Sequence, residues 1–265
     1  MGYESAIELS YYWLPLIGFV IGAISTMIGG NGAFFFPPIL ILFFQVSPRV
    51  AIATSLAAVI PIGLVGSWEH FRRNNINLPV ATLFGSAGLI GAILGAWISN
   101  NIEIATLIST FGIYLIALGL LTMYNPKKRI NRGMPPPRAF ADFQTRQAWL
   151  MISLGLMAGL VAGLFGTSGT APVLAGLFLL QLPVRLVVGT SVLIVFVNAL
   201  GGFGGHFFLG EIDPELIFML GSGAAVGAFL GPRLLTCIRP EKNESRVRYV
   251  FAAILMILGL VLIFR

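Results

Sequence analysis

At 265 residues, 57% of them hydrophobic and only 10% charged, with a mean hydropathy of +0.93, the chain has too little polar surface for a water-soluble domain. Its formal net charge of +6 would suit a nucleic-acid partner. The basic residues, however, sit in short segments between apolar runs, where the positive-inside rule accounts for them better, so no nucleic acid is expected. A lone Cys237 excludes an internal disulfide and a cysteine-rich metal site. With no HExxH, GxxxxGK[ST] or CxxC motif and only two histidines, the chain is expected to be no enzyme and to use no cofactor, metal or ATP.

In chain order, the opening MGYESAIELS lacks the basic flank and cleavage site of a secretory signal and is expected to stay on the mature protein. An apolar region at 12–45 follows, too long for one helix and interrupted by Gly29-Gly30-Asn31-Gly32. Runs at 50–70, 79–99 and 103–124 each approach the roughly 20 residues a bilayer span requires. A basic linker at 125–147, kept extended by Pro135 to Pro137, has no core of its own. A second interrupted region at 148–181, broken by Gly166-Thr167-Ser168-Gly169, precedes spans at 186–208, 214–235 and 247–264.

The halves 1–124 and 148–265 repeat one another. A shift of 136 puts Arg49 on Arg185, Thr54-Ser55 on Thr190-Ser191, Gly91 on Gly227 and His70 on His206, the only two histidines. A shift of 137 puts Gly22 on Gly159, Gly29 on Gly166 and Gly32 on Gly169. If each interrupted region is a hairpin returning to its own side, placing 125–147 inside leaves only Arg49 and Arg265 of the 16 basic residues outside, 14 against 2. One kinked span per region gives only 9 against 7, so the hairpin topology is preferred. Each copy then crosses an odd number of times, and the copies are inverted. The expected fold is an all-α polytopic membrane protein of two inverted repeats, each a broken-helix, re-entrant-like hairpin followed by three transmembrane helices. Both termini lie outside and the linker is cytoplasmic.

The hairpins carry the expected site. Their second arms, about 13 and 12 residues, reach roughly 18 to 20 Å and cannot cross a hydrocarbon layer of about 30 Å. The first arms, near 12–28 and 148–165, are marginal, so both tips are expected inside the membrane, with Asn31 and Ser168 meeting near the midplane. Broken backbone at that depth needs a polar partner. Second arms starting at Ala33 and Thr170 would present helix N-termini, anion receptors without a formal charge. The candidate substrate-binding residues are therefore Gly29, Gly30, Asn31, Gly32 and Ala33 of the first hairpin and Gly166, Thr167, Ser168, Gly169 and Thr170 of the second. Thr54, Ser55, Thr190, Ser191 and Asn198 are the further hydroxyl and amide donors. The small residues of 85–95 and 221–231 recur at helical spacing and read as helix packing. His70 and His206, at span ends, are either proton relays or caps of helix termini.

GGNGAFFFPPIL (29–40), GTSGTAPVL (166–174), Pro48-Arg49 before Thr54-Ser55, Pro183-x-Arg185 before Thr190-Ser191 and the span-end histidines together resemble the TauE/SafE-like sulfite exporter family of prokaryotic membrane proteins, over residues 14–264. The resemblance implies a cytoplasmic (inner) membrane transporter of sulfite, sulfonates, thiosulfate or related organic anions. Its partners would be a small anion, the lipid bilayer and a coupling proton or sodium ion. The family's first tip more often reads as GxGGG; here Asn31 and Thr167-Ser168 replace glycines, so the substrate is left open within that class, as are the direction of transport and the oligomeric state. Two rival readings also fit the sequence: a passive anion channel, and a rhomboid-like intramembrane serine protease using Ser168 and His206, which GTSG matches literally.

Overall fold

The computed structural model describes residues 11–27, 31–123, 145–167, 169–209, 212–234 and 244–264, and every regular element among them is helical. The elements are α1 (Leu14–Met27), a 3-10 helix (Asn31–Phe35), α2 (Phe36–Phe43), α3 (Pro48–Arg72), α4 (Leu78–Asn101) and α5 (Ile104–Met123). After the linker come α6 (Thr145–Phe165), α7 (Thr170–Leu179), α8 (Val184–Leu209), α9 (Pro214–Leu234) and α10 (Glu244–Ile263). Local chemistry sets the ends. Pro48 opens α3, Asn77 caps α4 by accepting the Val80 N–H at 3.1 Å, and the Asp213 carboxylate caps α9 by accepting the Glu215 and Leu216 N–H groups at 3.0 and 3.2 Å. Arg49, a basic residue on the outer side of the expected topology, donates to the Ile102 carbonyl at the end of α4 at 3.2 Å.

α3, α4, α5, α6 and α8 are long and apolar enough to cross a membrane. Their exposed faces carry large apolar side chains, as lipid contact requires. Trp68 and Trp149 stand exposed at the end of the bundle where α4 and α6 begin, and Trp13 and Trp97 at the opposite end, the placement of interfacial aromatic belts.

Which helix lies on which follows from close backbone contacts. α6 runs parallel to α4, Gly155 against Phe84 and Gly163 against Ala92. α1 runs parallel to α9 in the same manner, Gly18 against Leu220 and Gly227 against Phe19. α3 and α8 cross antiparallel, with Gly66 against Val192 and Gly202 against Leu56; α5 and α10 are antiparallel as well, Gly112 facing Gly259 and Gly119 facing Ala252. The small residues at 85–95 and 223–227 are thus packing surfaces, since they let two backbones approach where lipid offers no hydrophobic drive. At the start of α1, Tyr11 lies beside α9. Partial burial and the Asp213 and Glu215 carboxylates hold its phenol above the usual range.

Two expectations need correction. α6 has 21 residues, about 31 Å, and is of full spanning length instead of a marginal half-helix, because it begins at Thr145, inside the stretch read as linker. The second arm of the first hairpin does not open as an α-helix at Ala33. Pro37 and Pro38 have no N–H to give and fit only the first turn of a helix, so α2 starts at Phe36 and residues 31–35 coil as a 3-10 helix. α2 and α7, at 8 and 10 residues, are about 12 and 15 Å long and cannot span, as expected.

Candidate substrate site

The second tip is the better defined. The helical run of α6 stops as Gly166 turns to φ +67°, and Gly169 at φ +58° resets the chain into α7. Side chains are excluded at both points. A methyl on Gly166 would run into the Ile52 backbone of α3, and one on Gly169 into the Ala158 carbonyl. Phe165 stacks on Phe111 and Tyr114 of α5 at 5.2 and 5.3 Å, fixing the turn sideways. Thr167 is fully buried, and its hydroxyl interacts with that of Tyr114 without either reaching full hydrogen-bond geometry. Thr170 is buried and engaged at the start of α7.

At the first tip, Gly29 and Gly30 lie outside the described residues, as does Ser168 in the second; of Asn31 and Gly32 only the backbone, in the 3-10 helix, is described. Ala33, within that helix, is buried. The residues flanking the tips lie against different stretches of α3. Ser25, near the end of α1, shares a cavity with Gly63, Gly66 and His70 of α3, whereas Gly166 lies on Ile52. The α3 residues of that cavity begin at Val59, seven residues or about 10 Å along the helix from Ile52.

The two Thr-Ser pairs divide. The Ser55 and Ser191 hydroxyls donate back to their own helices, to Ala51 O at 2.6 Å and Val188 O at 2.8 Å. The Thr190 hydroxyl accepts the Asn77 N–H at 3.0 Å, tying the α3–α4 turn to α8. Thr54 is fully buried with no partner for its hydroxyl, and Asn198, fully buried on α8 against Gly88 of α4, has none for either end of its amide. His206 is buried, and its Nε2–H donates to the Gly163 carbonyl at 2.9 Å, so that nitrogen is not a free base of the kind a serine protease needs. His70 Nδ1 is buried and unpartnered.

Ser25 and Tyr114 escaped the sequence reading. Under the repeat register Ser25 aligns with Ala162, so matching the halves hid it. Tyr114 lies in an apolar span where a phenol oxygen must find a partner, which was the available signal.

Parallel and antiparallel helix pairs wrapped in apolar surface, with polar atoms buried between them, define a multi-pass helical membrane protein. Residues 14–262 match the family model described as "Sulfite exporter TauE/SafE", and the chain belongs to that family. It is similar to the probable membrane transporter protein YunE of Bacillus subtilis, 26% identical over 97% of this chain and 98% of that one. The probable membrane transporter protein YdhB of the same species is 28% identical over 94% and 98%, and MJ0441 of Methanocaldococcus jannaschii, described in the same terms, 24% over 93% of each. No solved structure matches the chain.

Proposed function

We propose that the protein is a secondary transporter carrying a small anion, of the sulfite, thiosulfate or sulfonate type, across the cytoplasmic membrane by alternating access between two inverted copies. The observation that carries this reading is the set of fully buried polar groups on Thr54, Thr167 and Asn198, none of which reaches a full hydrogen bond. In a lipid-enclosed bundle such groups are costly unless a polar guest answers them. All are hydroxyls or amides able to donate to an oxyanion without a fixed counter-charge. The family supports the substrate class. Inversion is supported by the pairing of equivalent helices: α3 against α8 and α5 against α10 run antiparallel, and the first helix of each half packs parallel to the fourth of the other.

Proteoliposomes test transport. Wild type is expected to exchange labelled sulfite, thiosulfate or sulfoacetate against the same anion and, under an ion gradient, to concentrate one of them; equilibration without concentration under any proton or sodium gradient would make it a channel. Thr167→Val, which is close in size and removes the hydroxyl, should lower exchange about tenfold in protein that still folds. Ser55→Ala, whose hydroxyl serves its own helix, should cost far less. Inversion is tested in a Cys237→Ser background. Arg73→Cys should react with an impermeant maleimide only from the cytoplasmic side and Glu103→Cys only from outside; labelling of both from one side would refute the topology.

A further inference from the structure

The two histidines match in sequence but not in surroundings. His206 is locked, its Nε2–H donating to Gly163 O at 2.9 Å, and the residue before Gly163 is Ala162, which offers no hydroxyl. On the opposite side of the α3–α8 crossing, His70 faces a cavity between α1, α3 and α8, lined also by Ser25, Gly63, Gly66, Val192 and Val195. Ser25 is 1% exposed, and neither its Oγ nor the Nδ1 of His70 has a partner. The cavity gives a water-sized occupant about 20 Å³, enough for one water molecule and too little for a sulfonate or sulfite. Its side chains offer one hydroxyl and one imidazole, a poor set for a hard cation that wants several oxygens but a sufficient one for a water that gives or takes a proton.

We propose that this cavity is a proton site: Ser25 holds a water against His70, and His70 alone of the two histidines carries the proton coupled to transport. The water relays a proton from the solution on one side: as it takes that proton, one of its own O–H bonds breaks and an N–H bond forms at the imidazole lone pair, and the reverse transfer through the water releases the proton to the other side. Among the described residues, the charges in the field of His70 are Glu69 of its own helix and Arg73 just past its end, which are joined to each other through Arg73 Nε and Glu69 Oε1 at 2.7 Å. α1 and α8 present to the cavity Ser25, Val192 and Val195, none of which titrates in this range. His206 is a fixed structural bond holding the end of α6 to α8.

The proposal rests on the reading of the chain as a coupled anion transporter, and the assay separates the two. The full chain in liposomes is scored for counterflow at equal pH, which needs only anion binding and movement, and for accumulation under an imposed pH gradient. The probe is whichever of labelled sulfite, thiosulfate and sulfoacetate exchanges fastest in wild type. We expect wild type to accumulate the anion and His70→Gln to lose that response about tenfold or more while keeping counterflow within about twofold. Ser25→Ala, a milder change should His70→Gln fold poorly, should weaken the gradient response with counterflow intact. His206→Gln should keep the gradient response and lower thermal stability. A wild type indifferent to the pH gradient, a His70→Gln protein that still accumulates, joint loss of both readouts in a well-folded His70→Gln protein, or loss of the gradient response in His206→Gln with counterflow intact would each overturn the proton site while leaving anion transport standing. Absence of counterflow for all three anions in wild type would defeat the transport reading, and the proton site with it.

Discussion

Gly159→Ala should destabilise the protein severely, lowering its apparent melting temperature in detergent by about 10 °C or more, equivalent to roughly 3 kcal/mol in a chain of this size. The added methyl would overlap the Gly88 carbonyl oxygen and crowd the Ala92 nitrogen. Both are backbone atoms of α4, so no rotamer change relieves the clash and the helices must separate. Separation is costly in a membrane, where close van der Waals packing replaces the hydrophobic effect as the force joining helices. Gly22→Ala should behave alike, because its methyl would overlap the Ala224 carbonyl of α9. Gly204 and Gly221 are the controls: a methyl at either meets nothing within 4 Å, and alanine there should be neutral or stabilise by up to about 1 kcal/mol through helix propensity. Size-exclusion thermal-shift measurements on the four variants check this. Equal behaviour of Gly159→Ala and Gly204→Ala would mean that α4 and α6 do not pack as described.

Those contacts also show what was legible in the sequence. Gly22 and Gly159 coincide under a shift of 137, and the carbonyls they approach, Ala224 and Gly88, are 136 apart. The repeat register therefore held the contact pattern in advance, since small residues at helical spacing have few other uses in lipid. Pro37-Pro38 likewise encoded the late start of α2. Less visible was anything set by distant partners. Thr190 looked like a substrate donor because nothing local shows that Asn77, 113 residues away, donates to its hydroxyl. The true start of α6 was hidden because Arg146 and Gln147 look like linker, yet a helix end projecting into the headgroup region tolerates both. That boundary adds three residues, about 5 Å, to the start of α6 and brings it to full spanning length.

Asn198→Leu should raise stability and suppress transport together. The amide is fully buried, its nitrogen and oxygen lack partners, and it presses on Gly88 where α8 meets α4. An unsatisfied buried amide costs about 1 to 3 kcal/mol, so a leucine of similar size should raise the melting temperature by about 3 to 10 °C. A group kept at such a cost must return it elsewhere. Val192 and Val195 line the cavity beside α1, and Asn198 is the next residue at that spacing on α8, between the cavity and the C-terminal end of the helix. If the amide serves the passing anion, exchange in liposomes should fall about tenfold or more in the stabilised protein. Stabilisation with full transport would leave Asn198 as an unsatisfied polar group with no part in the pathway. Destabilisation would mean that the amide is hydrogen-bonded in the working protein, most simply to the guest or water that the transport reading requires. Asn198→Asp separates those last two, because a buried carboxylate repels an anion while still accepting a hydrogen bond from water: it should abolish exchange if the anion passes here and spare it if only water does.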